Sequence, residues 1–162
     1  MKVDLYVDGS FYNSQSDRTY GGFVVVNGDT NDIISCRRVT TYNPHFVKMR
    51  NAGGEVIAAM CGLADAYSVC IHNNCNIVEI FYDYRGIADF VTGVYNAKQE
   101  GMKAYTTFVR LLMHKYSGVK LRFTKVKAHS NVLYNELADR VAKGETPSYY
   151  KAFQKSDIEI GG

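Results

Sequence analysis

Four acidic residues spread along this 162-residue chain each sit where a ligand for a hard divalent cation would be expected. Asp8 follows the alternating run from Lys2 to Val7 and precedes Gly9-Ser10. Glu55 comes early in a helical pattern, behind Asn51-Ala52-Gly53-Gly54. Asp83 ends the strand-like run from Ile77 to Tyr82. Asp139 lies in the helix-like segment Asn135-Glu136-Leu137-Ala138-Asp139, beyond a loop that carries His129. Carboxylates gathered in one cleft repel each other, so such a cluster makes sense only around a neutralising cation. Magnesium takes oxygen ligands in near-octahedral geometry and keeps part of its water. Two such ions about 3.5–4 Å apart can clamp the attacking and leaving oxygens of an in-line displacement at phosphorus. The four acids therefore point to metal-assisted cleavage of a phosphodiester, with Asp8, on a central strand, best placed to reach both ions.

Taken singly, each acid has an ordinary structural alternative. Asp8 can open a turn, Glu55 can favour the positive end of its helix, Asp83 can cap the helix that follows, and Asp139 can pair with Lys143 four residues on. These alternatives leave the shared location of four acids unexplained. His129, in Val126-Lys127-Ala128-His129-Ser130-Asn131, is either a surface loop residue or a proton carrier beside the carboxylates, able near neutrality to protonate a 3′-oxygen leaving group or to help a product-bound metal depart.

Positioning these residues requires a particular order of elements. The segments Lys2–Val7, Tyr20–Val26 and Ile33–Val39 read as three strands, the last two joined by the turn-forming Asn27-Gly28-Asp29. Helical periodicity runs from Arg50 to His72 through Val56, Ala59, Met60, Leu63, Ala66, Tyr67 and Cys70. Ile77–Tyr82 is nearly all apolar, the pattern of a strand covered on both faces. A short helix is expected over Gly86–Val94, a longer one over Met102–Tyr116, a last strand over Val119–Val126 and a final helix over Leu133–Lys143. Strands alternating with helices imply right-handed parallel crossovers. The expected architecture is α/β: a mixed five-stranded sheet, built of a three-strand antiparallel meander plus two parallel strands, with helices on both faces. Ligands in such sheets gather at the carboxyl ends of the parallel strands, where Asp8 and Asp83 fall. Asp4 should sit further from that rim. Residues 1–144 form one domain on this reading, and residues 145–162 a tail whose Tyr149, Tyr150 and Phe153 can pack back on the body.

Composition sets bounds. A chain of this length buries enough surface to fold without disulfides or a structural metal. Cys36, Cys61, Cys70 and Cys75 include no CxxC pair, and reduced thiols in the cytoplasm are expected. Cys61 and Cys70 fall in helical periodicity, as buried small hydrophobes. No signal peptide and no membrane-spanning stretch is expected. The formal charge of +3, from 19 basic and 16 acidic residues, permits a polyanionic partner without demanding one. Lys120, Arg122, Lys125 and Lys127 lead directly into His129, either as a solvated strand face or as phosphate contacts.

With these residues assembled, the chain closely resembles type 1 ribonuclease H. The stretches that carry the resemblance are Tyr6-Val7-Asp8-Gly9-Ser10, Asn51-Ala52-Gly53-Gly54-Glu55, Tyr82-Asp83-Tyr84-Arg85-Gly86-Ile87, Lys125-Val126-Lys127-Ala128-His129-Ser130 and Tyr134-Asn135-Glu136-Leu137-Ala138-Asp139, in family order from about Met1 to Lys143. The resemblance implies that Asp8, Glu55, Asp83 and Asp139 hold two magnesium ions, with manganese as a substitute. It implies that His129 is the mobile catalytic histidine, and that the RNA strand of RNA–DNA hybrids is cut to 5′-phosphate and 3′-hydroxyl ends. The chain is similar to the short bacterial form, without the basic protrusion or the N-terminal hybrid-binding module of other members. Trp is absent from it, and Phe90 and Tyr95 stand where short forms often carry tryptophan. Asn131 replaces the glycine common after His-Ser.

A 2′-hydroxyl, which both donates and accepts, marks the RNA strand. Candidates to read it are the amides around Gly9-Ser10 and Gly53-Gly54 and the Asn51 side chain, with Asn13 and Asn135 on the adjacent backbone or sugar. Binding should be independent of sequence and weakened by salt. A monomer with no obligate protein partner and no membrane association is expected. Two other functions share the fold: a nuclease for DNA junctions, which the Lys-Val-Lys-Ala-His-Ser segment argues against, and a catalytically silent nucleic-acid-binding domain, which would be marked by a lost carboxylate.

Overall fold

The computed structural model of the protein describes residues 1–127 and 133–145. Three antiparallel strands come first: β1 (Val3–Ser10), β2 (Thr19–Asn27) and β3 (Ile33–Thr41). β1 pairs with β2 from Val3 opposite Asn27 to Ser10 opposite Tyr20. The β2–β3 connection begins as an Asx turn, with the Asn27 side chain accepting the Asp29 amide at 2.9 Å, and Asn31 takes the left-handed conformation (φ 66°). β4 (Ile77–Tyr82) then pairs parallel to β1, and β5 (Lys120–Lys125) parallel to β4. The sheet order is β3-β2-β1-β4-β5, the mixed five-stranded arrangement expected from the sequence.

Successive strand residues face opposite ways, and two adjacent glycines in β2 show what lies on each side. A Cβ at Gly21 would meet Gly54 O at 2.2 Å and the Ala58 methyl at 2.8 Å, both on α2 (Asn51–His72). A Cβ at Gly22 would meet Ala138 O at 2.3 Å and Ala142 N at 2.6 Å, on α5 (Leu133–Ala142). The two helices therefore clasp the same strand from opposite faces, each close enough to exclude a side chain. Each face has its own core. Val3, Leu5, Val7, Phe23 and Val25 pack with α2 and with Met102, Tyr105 and Val109 of α4 (Glu100–Lys115). Tyr6, Val24, Val26 and Cys36 pack with Leu137, Ala138 and Val141 of α5.

Several elements depart from expectation. α2 has the length and apolar composition of a membrane-spanning helix, contrary to the sequence reading that no stretch does; here most of it is buried in the core between sheet and α4. The helix expected over Gly86–Val94 is a single turn, α3 (Gly86–Asp89), and a four-residue helix, α1 (Pro44–Val47), and a 3-10 turn at Asn13–Gln15 were not foreseen. Cys61 is exposed rather than buried, whereas Cys36, Cys70 and Cys75 are buried, and all four are free thiols. β4 buries Val78, Ile80 and Tyr82 but leaves Ile77, Glu79 and Phe81 partly open, because α5 packs on β1, β2 and β3 rather than over β4. The expected tail, from residue 146 onward, lies outside the described residues.

Candidate active site

β1 delivers Asp8. In register it stands opposite Gly22, and directly opposed residues of an antiparallel pair share a face, so Asp8 points to the α5 side. Its Oδ1 accepts the Gly9 amide at 2.9 Å. Gly9 points the other way, toward α2, and a Cβ there would lie 2.0 Å from Asn51 O and 2.6 Å from Glu55 N. Only glycine permits this approach, and it sets the first turn of α2 directly against the end of β1. Asp4 sits lower on the strand, opposite Val26 and beside Glu79, as expected.

α2 delivers Glu55 from the other face of the sheet. The side chain is 3% exposed and reaches the rim where β4 ends. There its Oε2 accepts two amides, from Tyr84 at 2.7 Å and from Asp83 at 3.2 Å. One carboxylate oxygen thus satisfies two backbone donors that no strand partner takes up, and fixes the turn that presents Asp83.

Asp83 and Asp139 complete the group, each beside a lysine. Lys125 Nζ, at the end of β5, is 3.7 Å from Asp83 Oδ1, and Lys143 Nζ is 3.0 Å from Asp139 Oδ2. The ordinary i,i+4 pairing open to Asp139 in the sequence is therefore real. It does not remove Asp139 from the site, because Asp8, Glu55, Asp83, Asp139, Lys125 and Lys143 all line one cleft of about 820 Å³.

The electrostatics record the crowding. Burial pushes the Asp8 carboxyl up to about 7 against the pull of the Gly9 amide, and the neighbouring Asp139 and Asp83 push the same way. Burial pushes Glu55 up to about 8 against the Tyr84 and Asp83 amides, with Asp8 and Asp83 adding to the rise. Groups so placed hold protons until a cation supplies compensating charge.

An all-oxygen, like-charged donor set of this kind fits a hard divalent ion such as magnesium. Among the described residues, no three His, Cys, Asp or Glu side chains already surround a single point at ligating distance. The carboxylates line one cleft, and two of them lie beside lysines.

Of the other predicted contact residues, Gly9, Ser10, Asn51 and Asn135 line the cleft. Gly53 and Gly54 are buried at close approaches to Phe46 O and Tyr20 O, and the Gly54 amide is spent on Arg50 O at 3.3 Å; the structure brings neither to the cleft lining. Asn13 is exposed in the turn after β1, also apart from the lining. His129 and Asn131 lie outside the described residues. Phe11, Tyr12, Tyr84 and Arg85 line the cleft without having been anticipated. The sequence leaves Lys125 open as a solvated strand-face charge or a phosphate contact, and offers Lys143 as a helix-surface partner of Asp139.

The RNase H family model matches residues 1–146. A search of curated protein sequences returns no match. Among solved structures, the fold is shared with RNase H1 from the halophilic archaeon Halobacterium salinarum, at 20% identity over 90% of this chain and 97% of that one (TM-score 0.65). It is shared with the N-terminal RNase H domain of rv2228c from Mycobacterium tuberculosis, at 14% identity over 89% and 95% (TM-score 0.66). It is shared also with LC11-RNase H1, isolated from compost by a metagenomic approach, in its complex with an RNA/DNA hybrid, at 18% identity over 88% and 98% (TM-score 0.63). At these identities structural likeness speaks to fold alone. The sequence match across residues 1–146 goes further, and on it the chain belongs to the RNase H family and is a ribonuclease H enzyme.

Proposed function

We propose that this protein is an endonuclease that hydrolyses the RNA strand of RNA–DNA hybrids, acting as a monomer and leaving 5′-phosphate and 3′-hydroxyl ends. The observation that carries the reading is the delivery of four carboxylates from four elements to one cleft, two of them with raised affinity for protons. The hybrid bound by LC11-RNase H1, a structure of the same fold, supports the choice of substrate.

Asp8, Glu55, Asp83 and Asp139 are the residues that would hold two magnesium ions, or manganese in their place. The chemistry such ions supply when bound is activation of the attacking water and stabilisation of charge on the phosphate. The chain's own residues do the rest. Asp8, fixed by the Gly9 amide on a rigid central strand, orients the group. Glu55 holds the Asp83 turn in place and contributes its charge from the opposite face. His129 hands a proton to the departing 3′-oxygen, a role that rests on the sequence. Ser10, Asn51, Asn135 and the backbone at Gly9 read the 2′-hydroxyl and adjacent sugar; Gly53 and Gly54 serve the helix packing that presents Asn51. Phosphate contacts position the hybrid without reading its sequence.

The test is incubation with magnesium of matched hybrid, duplex RNA, duplex DNA and four-way junction, using wild type and Asp8→Asn. Cleavage confined to the RNA of the hybrid and absent in the variant is expected. Selective cutting of the junction, or binding with no cutting of any substrate, defeats the reading.

A further inference from the structure

Three cations line the cleft: Arg85 pairs with Asp89 at 3.6 Å, whereas Lys125 and Lys143 each lie against a proposed ion ligand. An i,i+4 pair on a helix surface ordinarily faces water and contributes little. The Asp139–Lys143 pair instead lines the cleft together with Asp8 and Asp83, with the Lys143 ammonium 3.0 Å from Asp139 Oδ2.

The last turn of α5 is also pinned. The Tyr12 hydroxyl donates to Lys143 O at 3.1 Å, and Arg38 Nε donates to Ala142 O at 3.0 Å while its guanidinium lies 3.8 Å over the Tyr20 ring. These contacts come from the segment after β1 and from β2 and β3, the elements on which α5 packs. The backbone of Lys143 is therefore held at the cleft edge, with its ammonium reaching back one turn over Asp139. On the other wall Lys125, carried by the final residue of β5, approaches Asp83.

We propose that Lys143, seconded by Lys125, is a built-in counter-ion: it occupies the carboxylates of the ion-free cleft and must be displaced before Asp8 and Asp139 can share a divalent cation. This rests on the carboxylates being the ion site. An ammonium neutralises a single charge and offers only hydrogen-bond donors, so it cannot draw several carboxylates to one point. A divalent ion can, at the cost of breaking the lysine contacts. Lys143 is thus a positioning residue that holds Asp139 through its ammonium and, as a consequence, lowers the apparent ion affinity of the carboxylates. A half-exposed pair of this kind corresponds to a difference of about two- to fivefold in that affinity.

The experiment is calorimetric titration of manganese, without nucleic acid, into the full chain. Variants are Lys143→Met, Lys143→Gln, Lys143→Arg, Asp8→Asn and Lys103→Met, the last removing a lysine that pairs with Glu100 on the outside of α4. Lys143→Met and Lys143→Gln should bind about two- to fivefold more tightly than wild type, and melt at a slightly lower temperature without the ion. Lys143→Arg and Lys103→Met should match wild type in affinity. Binding by Lys143→Met and Lys143→Gln that is no tighter than wild type, or an equal gain in Lys103→Met, overturns the inference while leaving the ion site intact. Wild-type binding that is undetectable, or unchanged by Asp8→Asn, removes the carboxylate site itself and this inference with it.

Discussion

Glu55 and Tyr84 are joined by a 2.7 Å hydrogen bond from the Tyr84 amide to Glu55 Oε2, and the Asp83 amide shares the same acceptor. A helix on one face of the sheet is thereby tied to the end of a strand, at the place where two proposed ion ligands meet. The consequence is a separation of structural and chemical roles. Glu55→Ala strips two amides of their acceptor in a buried position and should cost about 1–3 kcal/mol in urea unfolding without divalent ions. Glu55→Gln keeps an acceptor oxygen and should lose far less stability, while both variants lose cleavage. Equal stability losses in the two variants would show that the amides do not depend on that oxygen.

The raised carboxyls of Asp8 and Glu55 set a pH dependence whose direction is fixed. Their folded-state values, about 7 and about 8, lie above the ordinary carboxyl values of 3.8 and 4.5. The folded chain therefore binds more protons than the unfolded chain between these limits. The stabilisation associated with those protons is complete near pH 4 and fades as pH rises through 7 to 8. Melting without divalent ions should decline over this range more steeply in wild type than in a variant combining Asp8→Asn and Glu55→Gln. Ion binding requires the deprotonated forms, so manganese affinity should climb across the same range with measurable proton release. A wild-type slope equal to that of the double variant, with no proton release, contradicts this.

Gly9 is the contact on which the meeting of β1 and α2 depends. Gly9→Ala places a methyl 2.0 Å from Asn51 O, against backbone that cannot swing aside. The expected cost is about 1–3 kcal/mol or more of stability, with a loss of manganese affinity because Glu55 is pushed away from Asp8. Gly118→Ala, where nothing lies within 4 Å of the added carbon, should leave affinity unchanged. Wild-type affinity in Gly9→Ala would mean that the helix and strand can separate without disturbing the site.

The residues that made the fold legible are those with a strong period. Val3, Leu5 and Val7 alternate, and the helical run from Val56 to Cys70 marks α2, because each side of these elements meets one face of the core. Elements of a single turn carry no period, which is why α1 was missed and α3 was expected to be longer. The openness of Glu79 and Phe81 depends on where α5 lies across the sheet, something β4 itself does not encode. The four acids were legible by their settings. The packing role of Gly53 and Gly54 was not, because which way a glycine's missing side chain would point is settled by the strands around it. The sequence offers Lys143 as an ordinary surface partner of Asp139, the alternative to a metal ligand; that pair is present, and the packing of α5 on β1 and β2 turns it into the cleft.

The central claim is that Asp8, Glu55, Asp83 and Asp139 jointly hold divalent ions. Anomalous scattering from manganese-soaked crystals tests it most directly. The account predicts manganese density in the cleft in contact with the Asp8 carboxylate, with Asp139 turned away from Lys143 and Asp83 away from Lys125 to join it. Manganese confined to other surfaces at saturating concentration, with both lysine pairs intact, would contradict it.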